Sequence, residues 1–253
     1  MQSRYRYKKG SMKAGLLSTI ALVGCASMPG LGQPVYTVPG TANIFSAGLS
    51  TPVDPGGDGA GTLPILVPLS AGVSSLQFSA SGAVYLGVGF GASGPDGYAA
   101  PYAPMNINSY GGVSGYYGPG FALTGVFLTD ATPVAPAPSR IDFTGNNLMP
   151  NFTSLAPAIG QVFFIGDGLA AGSGIRQTFY VPGGATRLFL GMPDVPNATG
   201  DPGAYGDNGG SLSVVILPEP TSTGLVVIGW VALLVRRSLG VGPRYCAPRW
   251  RRI

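Results

Sequence analysis

The chain of 253 residues carries 42 Gly and 24 Pro, only 9% charged residues, a formal net charge of +4 and no histidine. That length accommodates one large all-β domain, and the lack of His excludes imidazole catalysis and His-ligated zinc. A hydrophobic content of 45% with scattered aromatics favours a folded, turn-rich chain over a disordered one.

The cations are not where the overall charge suggests. Arg4, Arg6, Lys8, Lys9 and Lys13 precede Pro34, and Arg236, Arg237, Arg244, Arg249, Arg251 and Arg252 follow Val235. The body between them, residues 34–217, has three arginines (140, 176 and 187) against nine aspartates, a net charge of −6. A phosphate-binding surface needs clustered Lys and Arg, so the body is not expected to bind nucleic acid. Cys25 and Cys246 both lie outside the body, which leaves it without an internal disulfide or a thiolate metal site.

In chain order, the first 33 residues read as a secretory signal: a cationic stretch to Lys13, an apolar run over 14–26, then Pro29, Gly30 and Gly32. A start at Met12 gives a more usual n-region. Leu22-Val23-Gly24-Cys25 also has the form of a lipobox that would lipidate Cys25; the alternative is an ordinary signal cleaved between residues 26 and 33.

The body then shows short runs rich in branched and aromatic residues, bounded by Gly, Pro or Asp. An entry strand is expected over 42–47, followed by strands over 63–69, 75–80, 83–90, 121–128, 162–165, 177–181, 186–190 and 211–217. Ala71-Gly72, Ser81-Gly82 and Pro182-Gly183-Gly184 read as turns. No amphipathic helix of helical length is apparent, so the expected class is all-β, a sandwich of jelly-roll or galactose-binding-like type. Residues 98–117 hold five tyrosines among Gly, Pro, Asn and Ser, which fits an aromatic platform for sugar rings or a plain long loop. Residues 132–139 alternate Pro with Ala and Val and read as an extended connector.

The densest polar stretch is residues 194–210, with Asp194, Asn197, Asp201, Asp207 and Asn208 between two strands. Calcium takes six to eight oxygens from carboxylates, amides and carbonyls, which such a loop supplies. A turn-rich loop that uses Asp and Asn for their left-handed tolerance has the same composition. Catalysis finds less support. With no Lys, His, Cys or Glu in the body, only Asp pairs remain as acid and base, and their spacing singles out none. The protein is therefore expected not to be an enzyme.

The body ends at Pro218-Glu219-Pro220, followed by an apolar run over 221–235, the pair Arg236-Arg237 and a basic tail over 238–253. As a helix the run is roughly 22 Å long, against roughly 30 Å of hydrocarbon, so it spans only by thinning lipid or borrowing its flanks. A buried core helix is the other reading of a run this short. The Arg pair fits positive-inside orientation and the prolines block continuation of the preceding strand. With both cationic ends cytoplasmic, the acidic body lies outside.

Pro218-Glu219-Pro220, the apolar run, Arg236 and Arg237, behind an N-terminal signal, resemble the PEP-CTERM sorting segment of bacterial envelope proteins, here residues 218–237. The resemblance implies recognition by an exosortase-type membrane protease, processing near Pro-Glu-Pro, export across the inner membrane to the envelope or exterior, and association with extracellular polysaccharide. The tail beyond Arg237 departs from that pattern.

Within the body, Leu188-Phe189-Leu190, Asp194-Val195-Pro196 and residues 202–214 (PGAYGDNGGSLSV) resemble the C-terminal half of calcium-dependent galactophilic lectins. Residues 89–95 resemble that family's first metal loop, and residues 124–128 a central strand. The resemblance implies calcium held by the side chains of Asp194, Asp207 and Asn208 and by the backbone carbonyls of Ser93 and Ala204. Asp201 competes with Asp194 for the first role; Asp194 is favoured, with residues 196–200 as an insertion. Asp207 stands where the lectins have an amide. The lectins contact sugar through a His that this chain lacks, and residues 148–174 have no lectin counterpart. The expected function is thus an exported, calcium- and carbohydrate-binding lectin-like protein, the alternative a structural component of extracellular polymer without a saccharide site.

Overall fold

The computed structural model describes residues 33–87, 89–98, 104–145 and 150–217. The expected signal (1–33, of which only Gln33 is described), sorting segment (218–237) and basic tail lie outside these residues. Among the described residues no helix is long and apolar enough to cross a membrane.

The described chain is all-β. Its strands are β1 (Val35–Pro39), β2 (Ile65–Pro68), β3 (Ser75–Tyr85), β4 (Met105–Ile107), β5 (Tyr116–Gly118), β6 (Thr124–Leu128), β7 (Ser154–Leu155), β8 (Val162–Phe164), β9 (Thr178–Tyr180), β10 (Arg187–Gly191), β11 (Thr199–Gly200) and β12 (Gly209–Leu217). They form a sheet of order β1-β12-β3-β9-β7, a second of order β2-β10-β6-β8 and a small third, β11-β4-β5. The two larger sheets share one core. Leu212 and Val214 point inward from β12, Phe78 from β3, and Leu188 and Leu190 from β10, all fully buried. Phe179 on β9 links the sheets, its ring 5.2 Å from Phe78 in its own sheet and 5.4 Å from Phe163 on β8 of the other. β6 is buried along its whole length, as a central strand covered on both faces must be.

The longest ladder joins β12 to β3 in antiparallel register from Gly209–Tyr85 to Leu217–Gln77. It runs through Ser81-Gly82, where a turn was expected, so the separate strands expected over 75–80 and 83–90 are one strand that stops at Tyr85. Gly82 has φ +114°, and a Cβ there would sit 2.6 Å from the Ser211 carbonyl oxygen. The glycine marks close approach of a neighbouring backbone, which sequence alone does not distinguish from a turn.

Two other expectations are corrected. Residues 42–47, expected as an entry strand, hold a 3-10 turn, Ile44–Ser46, capped by the Asn43 side chain accepting from Phe45 N–H; the entry strand is β1. Residues 98–117, expected as a loop, contain β4 and the start of β5. Their tyrosines are dispersed. Tyr116 is fully buried with its hydroxyl donating to the Pro119 carbonyl, Tyr98 donates to the Gly91 carbonyl, and Tyr117 lies under the Arg140 guanidinium at 5.0 Å. A single aromatic platform does not form from these three.

Candidate functional site

At the Gly209 end of the β3–β12 ladder, the loop after β10 and the loop before β12 fold onto each other. Gly203 N–H donates to the Asp194 carbonyl at 3.2 Å. A third segment, residues 54–59, is laced to the same loops. Gly56 N–H donates to Pro202 O, Ala204 N–H to Gly57 O, Tyr205 N–H to Gly59 O and Gly206 N–H to Asp58 O, at 2.8–3.0 Å. The Asp54 carboxylate holds that segment in shape by accepting from Gly59 N–H at 2.9 Å. The left-handed backbone at Gly57, Asp58 and Gly59 is the conformation for which Gly and Asp are suited.

These loops frame a cleft of about 480 Å³. Its lining combines the polar Asp58, Asp194, Asp207 and Asn208 with the apolar Leu86, Phe90, Met105, Val195 and Pro196, and includes Ala204. Asp194 is 2% exposed and its oxygens are both engaged: Oδ1 accepts from Val195 N–H at 2.8 Å and Oδ2 from Asn208 Nδ2 at 2.7 Å. Burial pushes its carboxyl up to about 7, with the Asn208 and Val195 bonds opposing and the Asp207 charge adding to the rise. Asn208, 8% exposed, has its Oδ1 buried without a hydrogen-bond partner. An amide oxygen stripped of water in this way is costly unless something accepts its lone pairs.

Tyr205 sets the position of Asp194. Its fully buried hydroxyl accepts from Asp194 N–H at 3.0 Å and donates to the Met192 carbonyl at 2.8 Å. Its phenol is held well above its usual range, by burial first and by the Asp194 charge second. Asp207 is exposed and lies over Gly87, where a Cβ would sit 2.1 Å from Oδ2; with φ +86°, only glycine leaves that carboxylate its place.

The structure thus brings Asp194, Asp207, Asn208 and Ala204 to one cleft. It separates Asp194 from its competitor Asp201, which is exposed and accepts from Asn108 Nδ2 at 2.8 Å. Residues 196–200, read as an insertion, form a 3-10 turn and then β11, which pairs with β4. Ser93 does not line the cleft; it bridges Val84, whose N–H donates to the Ser93 carbonyl at 3.0 Å. The sorting residues Pro218, Glu219, Pro220, Arg236 and Arg237 lie outside the described residues.

Sequence reasoning missed Asp58, Tyr205 and Phe90 as site residues. Asp58 sits in Gly-Gly-Asp-Gly, which reads only as a turn, and its role depends on pairing across more than 140 positions of chain. Tyr205 carried a usable signal, because a buried tyrosine hydroxyl needs a partner.

The donors fit a hard cation in chemistry: carboxylate oxygens, an unpartnered amide oxygen and a nearby backbone, with no His or Cys among the described residues that line the cleft. Among the described residues no three or more His, Cys, Asp or Glu side chains converge. A cation here would therefore depend on Asn208 and on carbonyl or water oxygens as much as on carboxylates. No protein-family model matches the chain, and no curated protein matches it.

Proposed function

We propose that the protein is a non-enzymatic, exported envelope or extracellular protein whose body is a lectin-like β-sandwich that binds calcium and, at the same cleft, carbohydrate. One observation carries the reading: the buried, unpartnered Oδ1 of Asn208 beside the buried carboxylate of Asp194. Alone, both groups are costly; a divalent cation accepts the lone pair of the amide oxygen and neutralises the carboxylate. Asp194, Asn208 and Asp207 would hold the ion, with the Ala204 carbonyl as a backbone ligand. Asp58 and the apolar wall at Phe90 would face a saccharide, whose hydroxyls suit carboxylates and whose C–H faces suit an aromatic ring.

The two-sheet arrangement and the bridging Phe179 support a sandwich of jelly-roll or galactose-binding-like type. The charge partition and the segment from Pro218 to Arg237 support export, exosortase processing and association with extracellular polysaccharide. The lacing of residues 54–59 to 202–206 supports, as a second reading, a calcium that only closes these loops in a structural matrix protein.

A glycan array probed with and without chelator separates the two. Chelator-sensitive saccharide binding supports the lectin reading. No saccharide binding together with a calcium-dependent melting temperature supports the structural one. Absence of calcium binding by the intact protein would sink both.

A further inference from the structure

The ladder of β3 and β12 has a second end, and it differs in kind from the first. β12 has nine residues, so its two ends are roughly 27 Å apart at about 3.4 Å per residue. At the Leu217 end lies another cleft, of about 460 Å³, lined by Val67, Leu69, Val73, Leu76, Ile216 and Leu217 with prolines, serines and one glutamine, and by no charged residue. Two further apolar side chains stand exposed beside it. Val35, 61% exposed, pairs with Val215, and Tyr180, 51% exposed, pairs with Ser75. On the adjoining strand end the exposed Asp130 carboxylate accepts from the Thr186 hydroxyl at 2.7 Å, and the Arg187 guanidinium donates to the carbonyls of Thr129 and Ala131.

This is also where the chain enters and leaves the body, since Gln33, Pro34 and Leu217 all line the cleft. Only Pro218, Glu219 and Pro220 separate Leu217 from the apolar run that starts at Thr221. Four virtual Cα–Cα steps reach at most about 14 Å. A headgroup layer is about 6 Å deep on each side of a roughly 30 Å hydrocarbon slab. A 15-residue run falls roughly 8 Å short of that slab as a helix, which draws the preceding residues toward the lipid. With residues 221–235 in a bilayer, the Leu217 end is held within about 8 Å of the headgroups, and against them where the shortfall is made up on this side.

We propose that the face around this apolar cleft is a membrane-apposition face: before processing, it rests on the outer-leaflet lipid surface and the cleft, with Val35 and Tyr180, enters the headgroup and acyl boundary. The acidic cleft at the Gly209 end then faces away from the membrane, toward soluble cation and polymer. This inference rests on the reading of residues 221–235 as a bilayer segment.

The body has no cysteine, which makes single-site labelling direct. In the full chain carrying Cys25→Ser and Cys246→Ser, an environment-sensitive fluorophore is placed in turn at Ser70→Cys and Ser74→Cys, both exposed at the cleft, and at Thr51→Cys, exposed on the loop that leads to the acidic cleft. The protein is reconstituted into phosphatidylcholine vesicles with and without a headgroup nitroxide lipid, and protease protection of residues 221–235 is followed in parallel. The expected result is blue-shifted, nitroxide-quenched emission at 70 and 74 and neither effect at 51. Protected residues 221–235 with all three labels equally water-exposed overturn the apposition face and leave the membrane reading standing. Unprotected residues 221–235 overturn both. Emission at 70 that depends on protein density rather than on nitroxide lipid assigns the cleft to a second copy of the chain and overturns lipid as its occupant.

Discussion

Replacing Asp194 by Asn tests the cleft most sharply, because the stability advantage it confers without calcium should shrink or reverse when calcium is added. In calcium-free buffer the carboxyl is pushed from 3.8 up to about 7 by burial. A raised folded value means that the fold favours the protonated acid. The stability contributed by Asp194 is therefore full below the unfolded value and is lost as pH rises through about 7. A shift of about three units at 1.36 kcal/mol per unit places that loss at about 4 kcal/mol, taken as an upper bound. For a domain of this size each kcal/mol moves Tm by about 2–4 °C. Asn keeps the acceptor for Val195 N–H, and a flip of Asn208 presents its oxygen to the new amide. Asp194→Asn should then melt several degrees above the wild type at about pH 8 in chelator, with no advantage near pH 4. In calcium at about 100 times Kd the wild type gains about 2.7 kcal/mol by mass action, and the variant gains little. The stability order should narrow or invert. Differential scanning calorimetry in paired chelator and calcium buffers reads this directly. A variant no more stable than wild type in chelator at about pH 8, or one stabilised by calcium as much as wild type, would refute the reasoning.

Asp207→Ala should lower calcium affinity about tenfold or more, equivalent to about 1.4 kcal/mol, in isothermal titration, and an unchanged Kd would remove Asp207 from the ligand set. Tyr205→Phe leaves Asp194 N–H and the Met192 carbonyl buried without their partner. About 1–3 kcal/mol should be lost for each such group in urea unfolding, and a cost near zero would show that the hydroxyl does not position the loop. Asp96 has its carboxyl raised by burial first, with the Asp167 N–H bond opposing and the Asp167 charge adding. Its contribution is present at low pH and is lost as pH rises through its folded value. Asp96→Asn, which keeps the acceptor for Asp167 N–H, should lose less stability than wild type as pH rises from the ordinary carboxylate range through the folded value, and parallel pH curves would discount the group.

Strands such as β6, β10 and β12 were legible because branched and aromatic side chains concentrate where a sheet is buried. Gly82 misled because one residue type serves both turns and close backbone approaches. Tyr116 looked like a surface aromatic in a polar loop, yet it is fully buried because β5 pairs with β4. For the cleft, Asp194, Asp207 and Asn208, singled out by the lectin resemblance, stand together along its lining, whereas Ser93 lies outside it.

By itself, the sequence determined the all-β class, the chemistry open to a body without His, Lys, Cys or Glu, and the separation of cations from acids, because these depend on which side chains exist and in what order. Only the tertiary structure shows which aspartate is buried, that Asn208 keeps an unpartnered oxygen, that Asp58 reaches the same cleft, and that one cleft of the body is lined with acids and another without charge. Those facts arise from hydrogen bonds and burial between residues far apart in the chain, and local composition carries no record of which distant segment will exclude water from a given group.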